Sequence, residues 1–121
     1  MKLSDKEWKV LEALWDTPEG LPLGAVVEAL RPATGWSRNT VLTYLTRMEA
    51  KNLVIIDKGD TPHRYRAAVD REDCAAEERR GLLNRVYQGS AGKLVAAFLK
   101  EEKLTAQERE ELRQLLDDME V

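Results

Sequence analysis

Among its 121 residues the chain has one cysteine, Cys74, and one histidine, His63. A lone cysteine cannot close an intrachain disulfide. One Cys and one His cannot supply the usual zinc ligand set, so neither a structural metal nor a cofactor is expected. Long apolar runs are missing as well: the longest, Leu94-Val95-Ala96-Ala97-Phe98-Leu99, falls far short of the roughly 18–20 residues that span a bilayer. The opening Met1-Lys2-Leu3-Ser4-Asp5-Lys6-Glu7-Trp8 is charged where a signal peptide needs its apolar stretch, which predicts a cytoplasmic protein without membrane insertion. Nor is there a glycine-rich phosphate loop, a nucleophile elbow or a His-Glu-x-x-His pair. The adjacent carboxylates Glu110-Glu111 and Asp117-Asp118 would diverge by about 100° on a helix and cannot share a site, so an enzyme is not expected.

What remains is a hydrophobic fraction of 43% beside 34% charged residues, the balance of a chain that folds around a modest core. The net charge of −3 argues against indiscriminate coating of a polyanion, but it is unevenly spread. Residues 1–69 hold ten Lys/Arg against nine Asp/Glu, a net +1, and residues 70–121 hold nine against thirteen, a net −4. Within the first part, residues 31–66 carry Arg31, Arg38, Arg47, Lys51, Lys58, Arg64 and Arg66 against Glu49, Asp57 and Asp60. The positive charge is concentrated where a nucleic-acid contact is suspected.

Ser4-x-x-Glu7 is a capping box that starts a helix at Asp5, with Trp8, Leu11, Leu14 and Trp15 on one face until the turn Thr17-Pro18-Glu19-Gly20. Leu21-Pro22-Leu23 is either a small strand or an extended lead into the next helix, and its proline argues against a central strand. Val26, Val27 and Leu30 have helical spacing, and Arg31-Pro32 predicts the end of that second helix. After the loop 33–36, Ser37 is an N-cap for a third helix whose apolar stripe is Val41, Tyr44, Leu45 and Met48, ending near Lys51-Asn52. Leu53-Val54-Ile55-Ile56 reads as a strand, Gly59-Asp60-Thr61-Pro62 as a turn, and residues 63–69 as the return strand with Tyr65 and Ala67 facing inward. Three helices followed by a hairpin is the order of a winged helix-turn-helix.

Beyond residue 70 the chain turns helical and acidic. Leu82, Leu83, Val86 and Tyr87 form one stripe; Gly89-Ser90 breaks the helix; Leu94, Val95, Phe98 and Leu99 form the next. Thr105-x-x-Glu108 is a second capping box, ahead of Leu112, Leu115, Leu116 and Met119 at i, i+3, i+4 and i+7. Three short amphipathic helices in about fifty residues cannot cover all those faces among themselves. The economical partner is a second copy. The expectation is therefore a mainly α protein with a small β-hairpin: a winged helix-turn-helix DNA-binding domain over 1–69 and a helical dimerisation region over 70–121.

In a helix-turn-helix the third helix enters the major groove. With its apolar stripe inward, Arg38, Asn39, Leu42, Thr43, Thr46 and Arg47 face out, behind Ser37 and Thr40 at the N-terminal end. Asn39 suits an adenine edge, Arg38 a guanine edge or a phosphate, and the methyl of Thr40 or Thr43 a thymine methyl. Arg47 and Lys51 are placed for phosphate, which positions without reading sequence. Lys58, His63, Arg64 and Arg66 are wing candidates, His63 equally an exposed turn residue. Cys74 reads as a small residue near a helix start. Trp8 and Trp15 read as core, and Trp36 either packs the turn or meets the DNA backbone.

The run Trp36-Ser37-Arg38-Asn39-Thr40-Val41-Leu42-Thr43-Tyr44-Leu45-Thr46-Arg47-Met48-Glu49-Ala50-Lys51-Asn52-Leu53-Val54 resembles the recognition helix and following strand of the BlaI/MecI/CopY penicillinase-repressor family. The opening Leu3-Ser4-Asp5-Lys6-Glu7-Trp8-Lys9-Val10-Leu11 is similar too, as is the tail from Leu94-Val95-Ala96-Ala97-Phe98-Leu99-Lys100-Glu101-Glu102 to Glu111-Leu112-Arg113-Gln114-Leu115-Leu116. The resemblance implies a homodimeric transcriptional repressor on dyad-symmetric promoter DNA. In the β-lactam branch it also implies a membrane sensor protease as partner, with the repressor cut between Asn and Phe in the dimerisation region. The aligned pair here is Ala97-Phe98, without the asparagine, and the cysteine pairs of the copper-responsive branch are absent. A second reading, from the acidic C-terminal half, is a winged-helix protein-interaction adapter with little DNA affinity.

Overall fold

The computed structural model describes residues 2–59 and 61–119; Asp60, in the middle of the expected wing turn, lies outside the described residues. Helix α1 spans Asp5–Trp15 and starts where the capping box places it: Ser4 Oγ accepts from Glu7 N and Glu7 Oε1 accepts from Ser4 N. Strand β1, Leu21–Pro22, leads into α2, Leu23–Thr34, and then α3, Arg38–Ala50. Strands β2, Val54–Asp57, and β3, Arg64–Ala67, follow.

Helix α2 does not stop at Pro32, as the sequence had suggested, but carries the proline inside its last turn. A proline there removes only one bond, to the Glu28 carbonyl. The end is secured by other groups: Thr34 Oγ1 donates to Leu30 O at 2.8 Å, and Gly35, left-handed at φ 66°, donates its N–H to Arg31 O.

The ambiguous Leu21-Pro22 pair is a strand. It pairs antiparallel with β3, Leu21 opposite Tyr65 and Pro22 opposite Arg64, at the edge of a sheet ordered β1-β3-β2. An edge tolerates the proline because its outer side needs no donor. Gly20 enters this strand at φ 90°, and a Cβ there would sit 3.1 Å from the Tyr65 carbonyl, so the turn needs glycine. In the hairpin, Val54 faces Ala67 and Ile56 faces Tyr65.

The core of residues 1–78 gathers one face from each element. Val10, Leu11 and Leu14 of α1, Val26, Val27 and Leu30 of α2, and Val41, Leu45 and Met48 of α3 close over Leu53, Val54 and Tyr65. Trp8 and Trp15 pack edge to face on its margin with centroids 5.3 Å apart, and Trp15 Nε1 donates to Val69 O at 2.9 Å.

Helix α4, Arg71–Tyr87, begins in this unit, where the Arg71 guanidinium lies over both indoles and Cys74 packs against the core. Burial and the carboxylates of Glu77, Asp73 and Asp70 push the Cys74 thiol pKa up, so it is no reactive thiolate. The second unit, residues 79–121, contains the rest of α4, then α5, Ala91–Glu101, and α6, Ala106–Asp118. Positive φ at Gln88 and Gly89 ends α4, Ser90 caps α5, and the second capping box starts α6 as the sequence predicts. None of these three helices has a buried residue.

Candidate nucleic-acid interface

Three separate restraints hold α3. Its inner face is locked by Val41, Leu45 and Met48, each with no exposed surface. Its N-terminus is capped by Ser37, whose Oγ accepts from Thr40 N at 3.2 Å, and the preceding Trp36 stacks flat on Tyr44, centroids 4.6 Å apart and planes 4° from parallel. Trp36 therefore packs the turn onto the helix, the first of its two readings. Tyr44, expected wholly inward, is half-buried under that indole.

At the other end, Lys51 Nζ lies 2.8 Å from Glu7 Oε2, joining the end of α3 to the start of α1. The Glu7 side chain is 9% exposed and that of Lys51 53%. Burial alone would raise the Glu7 pKa. The bonds from Lys51 and from the Ser4 backbone and hydroxyl, with the charge of Lys51, outweigh that and hold the carboxyl below its ordinary 4.5.

A carboxyl with a depressed folded pKa stabilises the fold above its unfolded value and loses that contribution as pH falls through the folded value. Lys51→Met leaves the Glu7 carboxylate without its cation and is expected to cost about 1–2 kcal/mol near neutral pH, Lys51 being half-exposed. The difference from wild type closes in acid, below 4.5, once Glu7 is protonated in both proteins. Urea midpoints at about pH 7 and about pH 2.5 measure it; an equal gap at both would mean that the pair does not act through charge.

The outward face of α3 carries Arg38, Asn39, Leu42, Thr43, Thr46 and Arg47, all exposed, with Thr40 half-buried at the N-terminal end. Thr43 Oγ1 donates to Asn39 O at 2.9 Å, and Ser37 Oγ and Thr40 Oγ1 are 3.1 Å apart. Arg38 and Arg47 form no ion pair among the described residues, so two guanidiniums are available to an anion without breaking a bond. Lys51 is different. Expected at phosphate by position alone, it has its ammonium on Glu7, a bond that ties the end of α3 to α1.

In the wing, Arg64 is likewise engaged: Nη2 donates to Gly20 O at 2.7 Å and Nε to Glu19 O at 3.5 Å, tying β3 to the turn before β1. Arg66 pairs with Asp57 across the hairpin at 3.2 Å, while Lys58 is only 3.8 Å from Glu49 and largely exposed. His63 is exposed at the start of the return strand. Of the wing candidates, Lys58 is loosely paired with Glu49 and largely exposed, His63 has no polar partner among the described residues, and Arg64 is a strut.

Sequence reasoning missed the Glu7–Lys51 link and the Arg64 strut because each joins groups more than forty residues apart. A Glu at the third position of a capping box, followed by a run of buried positions, was the available sign that Glu7 would need a cation.

Among the described residues, no helix is long and apolar enough to cross a membrane. The model of the penicillinase repressor family matches residues 3–118. The methicillin resistance regulatory protein MecI of Staphylococcus aureus strain N315 is 28% identical over 116 residues, covering 96% of this chain and 94% of MecI. The transcriptional regulator BlaI of Mycobacterium tuberculosis is 31% identical over 120 residues, covering 98% and 86%. A solved structure of Bordetella bronchiseptica BpsR, a protein whose DNA binding is regulated by 6-hydroxynicotinic acid, aligns over 98% of this chain and 80% of its own at 24% identity, with a TM-score of 0.47.

Proposed function

The chain belongs to the penicillinase repressor family, and on that premise we propose that it is a sequence-specific DNA-binding transcriptional repressor acting as a homodimer on dyad-symmetric promoter operators. The observation that carries the reading is α3: a helix with its inner face locked in the core, its N-terminus capped, and an outer face of Asn39, Leu42, two threonines and two arginines that have no ion pair among the described residues. That face has the size and polarity to enter a major groove, where it supplies one amide for a base edge and two cations for flanking phosphates. Repression then works by occupancy and needs no catalytic group. Relatives named as a penicillinase repressor and a transcriptional regulator do not favour the adapter reading.

The homodimer is proposed from residues 79–121. Val86, Val95, Phe98, Leu99, Leu115, Leu116 and Met119 are all exposed, while Leu82, Leu83, Tyr87, Leu94 and Leu112 are only half-buried. So much apolar surface on short helices favours a partner, and a second chain supplies the matching face. Two copies would set their recognition helices on half-sites about 10 base pairs apart or a multiple. A sensor protease is the further partner proposed, of the kind that the family resemblance implies. Cutting at Ala97–Phe98 would first require opening of α5, since both residues lie inside it.

Anisotropy titration against the protein's own upstream DNA at two salt concentrations, with a scrambled duplex as competitor, tests the reading. Competitor-resistant binding that weakens with salt is expected; equal loss to the scrambled duplex would refute it. Asn39→Ala should lower discrimination between cognate and mismatched duplexes by about 1–3 kcal/mol. Arg47→Ala should weaken both duplexes alike and reduce the salt slope by about 1. Interchanged effects would reverse the two roles.

A further inference from the structure

Among the described residues of the first unit, Leu42 is the one large aliphatic side chain left exposed, at 38%. Every other exposed large hydrophobic, from Val86 to Met119, belongs to residues 79–121, where a second chain can cover it. Leu42 has no such explanation, because it stands on the outward side of α3 one turn beyond Arg38 and Asn39 and one turn before Thr46.

On the surrounding face, the group nearest in sequence to Leu42 is already committed. The Thr43 hydroxyl is already donated to the Asn39 carbonyl, and the neighbouring outward positions offer Asn39 as the one amide. A leucine can neither donate nor accept, and the major groove presents to it a single kind of apolar group, the C5 methyl of thymine. Set against cytosine at the same place, the side chain would strip water from the N4 amino group without replacing the lost hydrogen bond.

Resting on the reading of α3 as the helix in the major groove, we propose that Leu42 determines specificity by packing on a thymine methyl in each half-site. Burying one methyl-sized group is worth about 0.8 kcal/mol, about fourfold in affinity, and two symmetric half-sites bring this to about 15-fold.

The test uses the full chain and a duplex obtained by selection from a randomised library. Each thymine of that duplex is replaced singly, in both half-sites, by deoxyuridine, which removes the methyl and leaves the base pair. Wild type is expected to lose about 15-fold at one thymine position, and Leu42→Ala to lose nothing there while keeping its response at every other thymine. Leu42→Met, which retains an apolar side chain of similar volume, should keep the penalty. Uracil profiles that coincide for wild type and Leu42→Ala, or a wild type indifferent to every thymine methyl, would overturn the proposal. A library from which nothing is retained would overturn the DNA-reading function itself, and this proposal with it.

Discussion

Leu116→Asp is expected to turn the protein into a monomer and to lower its affinity for a two-half-site operator by about 10²–10⁴-fold, the range by which joining two binding modules exceeds either alone. Leu116 is 63% exposed in the single chain, beside Leu115 and Met119 of the same helix end. Together with Val95, Leu99, Leu104 and Leu112 they line an open groove of about 710 Å³ within residues 79–121. Such a groove, apolar along these residues and edged by Glu102, Arg109, Arg113 and Asp117, gains stability by being covered, and a carboxylate in place of Leu116 would have to be stripped of water against a facing apolar surface. Because the side chain is already in solvent in one chain, the substitution leaves the winged-helix core untouched. Sedimentation equilibrium should show a dimer for wild type and a monomer for the variant. Titration against a single half-site should give the same weak affinity for both. A wild type that is monomeric at tens of micromolar, or a Leu116→Asp protein that stays dimeric, would exclude these helices as the dimer interface.

Leu45→Ala should lower the stability of the winged-helix unit by about 2–5 kcal/mol, the cost of deleting a fully buried leucine and leaving a cavity. Leu45 has no exposed surface and sits between Val41 and Met48 on the inner face of α3. A domain of this size holds only about 5–15 kcal/mol in total, so the melting temperature should fall by roughly 10–25 °C. DNA affinity should fall only as the temperature nears the lowered melting point, because the base contacts are intact and only the folded fraction changes. Cooling should therefore restore binding to Leu45→Ala. Leu42→Ala, three residues earlier on the same helix, should melt within about 0.5 kcal/mol of wild type, since its side chain is already exposed. Thermal denaturation of the two variants side by side distinguishes the packed face from the reading face. Equal destabilisation would mean that α3 is seated in a different rotation about its axis.

Much of this architecture was legible because it is written in short-range chemistry. Both capping boxes fall where spacing predicts them, since Ser4 with Glu7 and Thr105 with Glu108 need only the next turn of their own helix. Val41, Leu45 and Met48 are buried as their period demands, and Tyr65 faces inward as strand alternation requires. Local rules were least reliable where two of them competed. Pro32 favours a helix end, yet Thr34 and Gly35 two and three residues later secure the carbonyls of Leu30 and Arg31, and the helix runs on. The outward face of α3 was readable as a list of residues, though not as a set of available and committed groups. Lys51 and Arg64 count as surface cations in the sequence, while in the fold one ammonium is held by Glu7 and one guanidinium by the Gly20 and Glu19 carbonyls.

The sequence alone determined the order of the helices and the hairpin, the helix starts, the inward faces and the turn to helical, acidic sequence near residue 70, because each depends on neighbours within a turn of helix or a strand's alternation. Tertiary structure decided which cations have a partner, which indole packs the turn, that Leu21-Pro22 joins the sheet, and that Leu42 is the one large aliphatic left exposed among the described residues of the first unit. These depend on groups brought together from distant parts of the chain, where a side chain's role is set by the partner it meets.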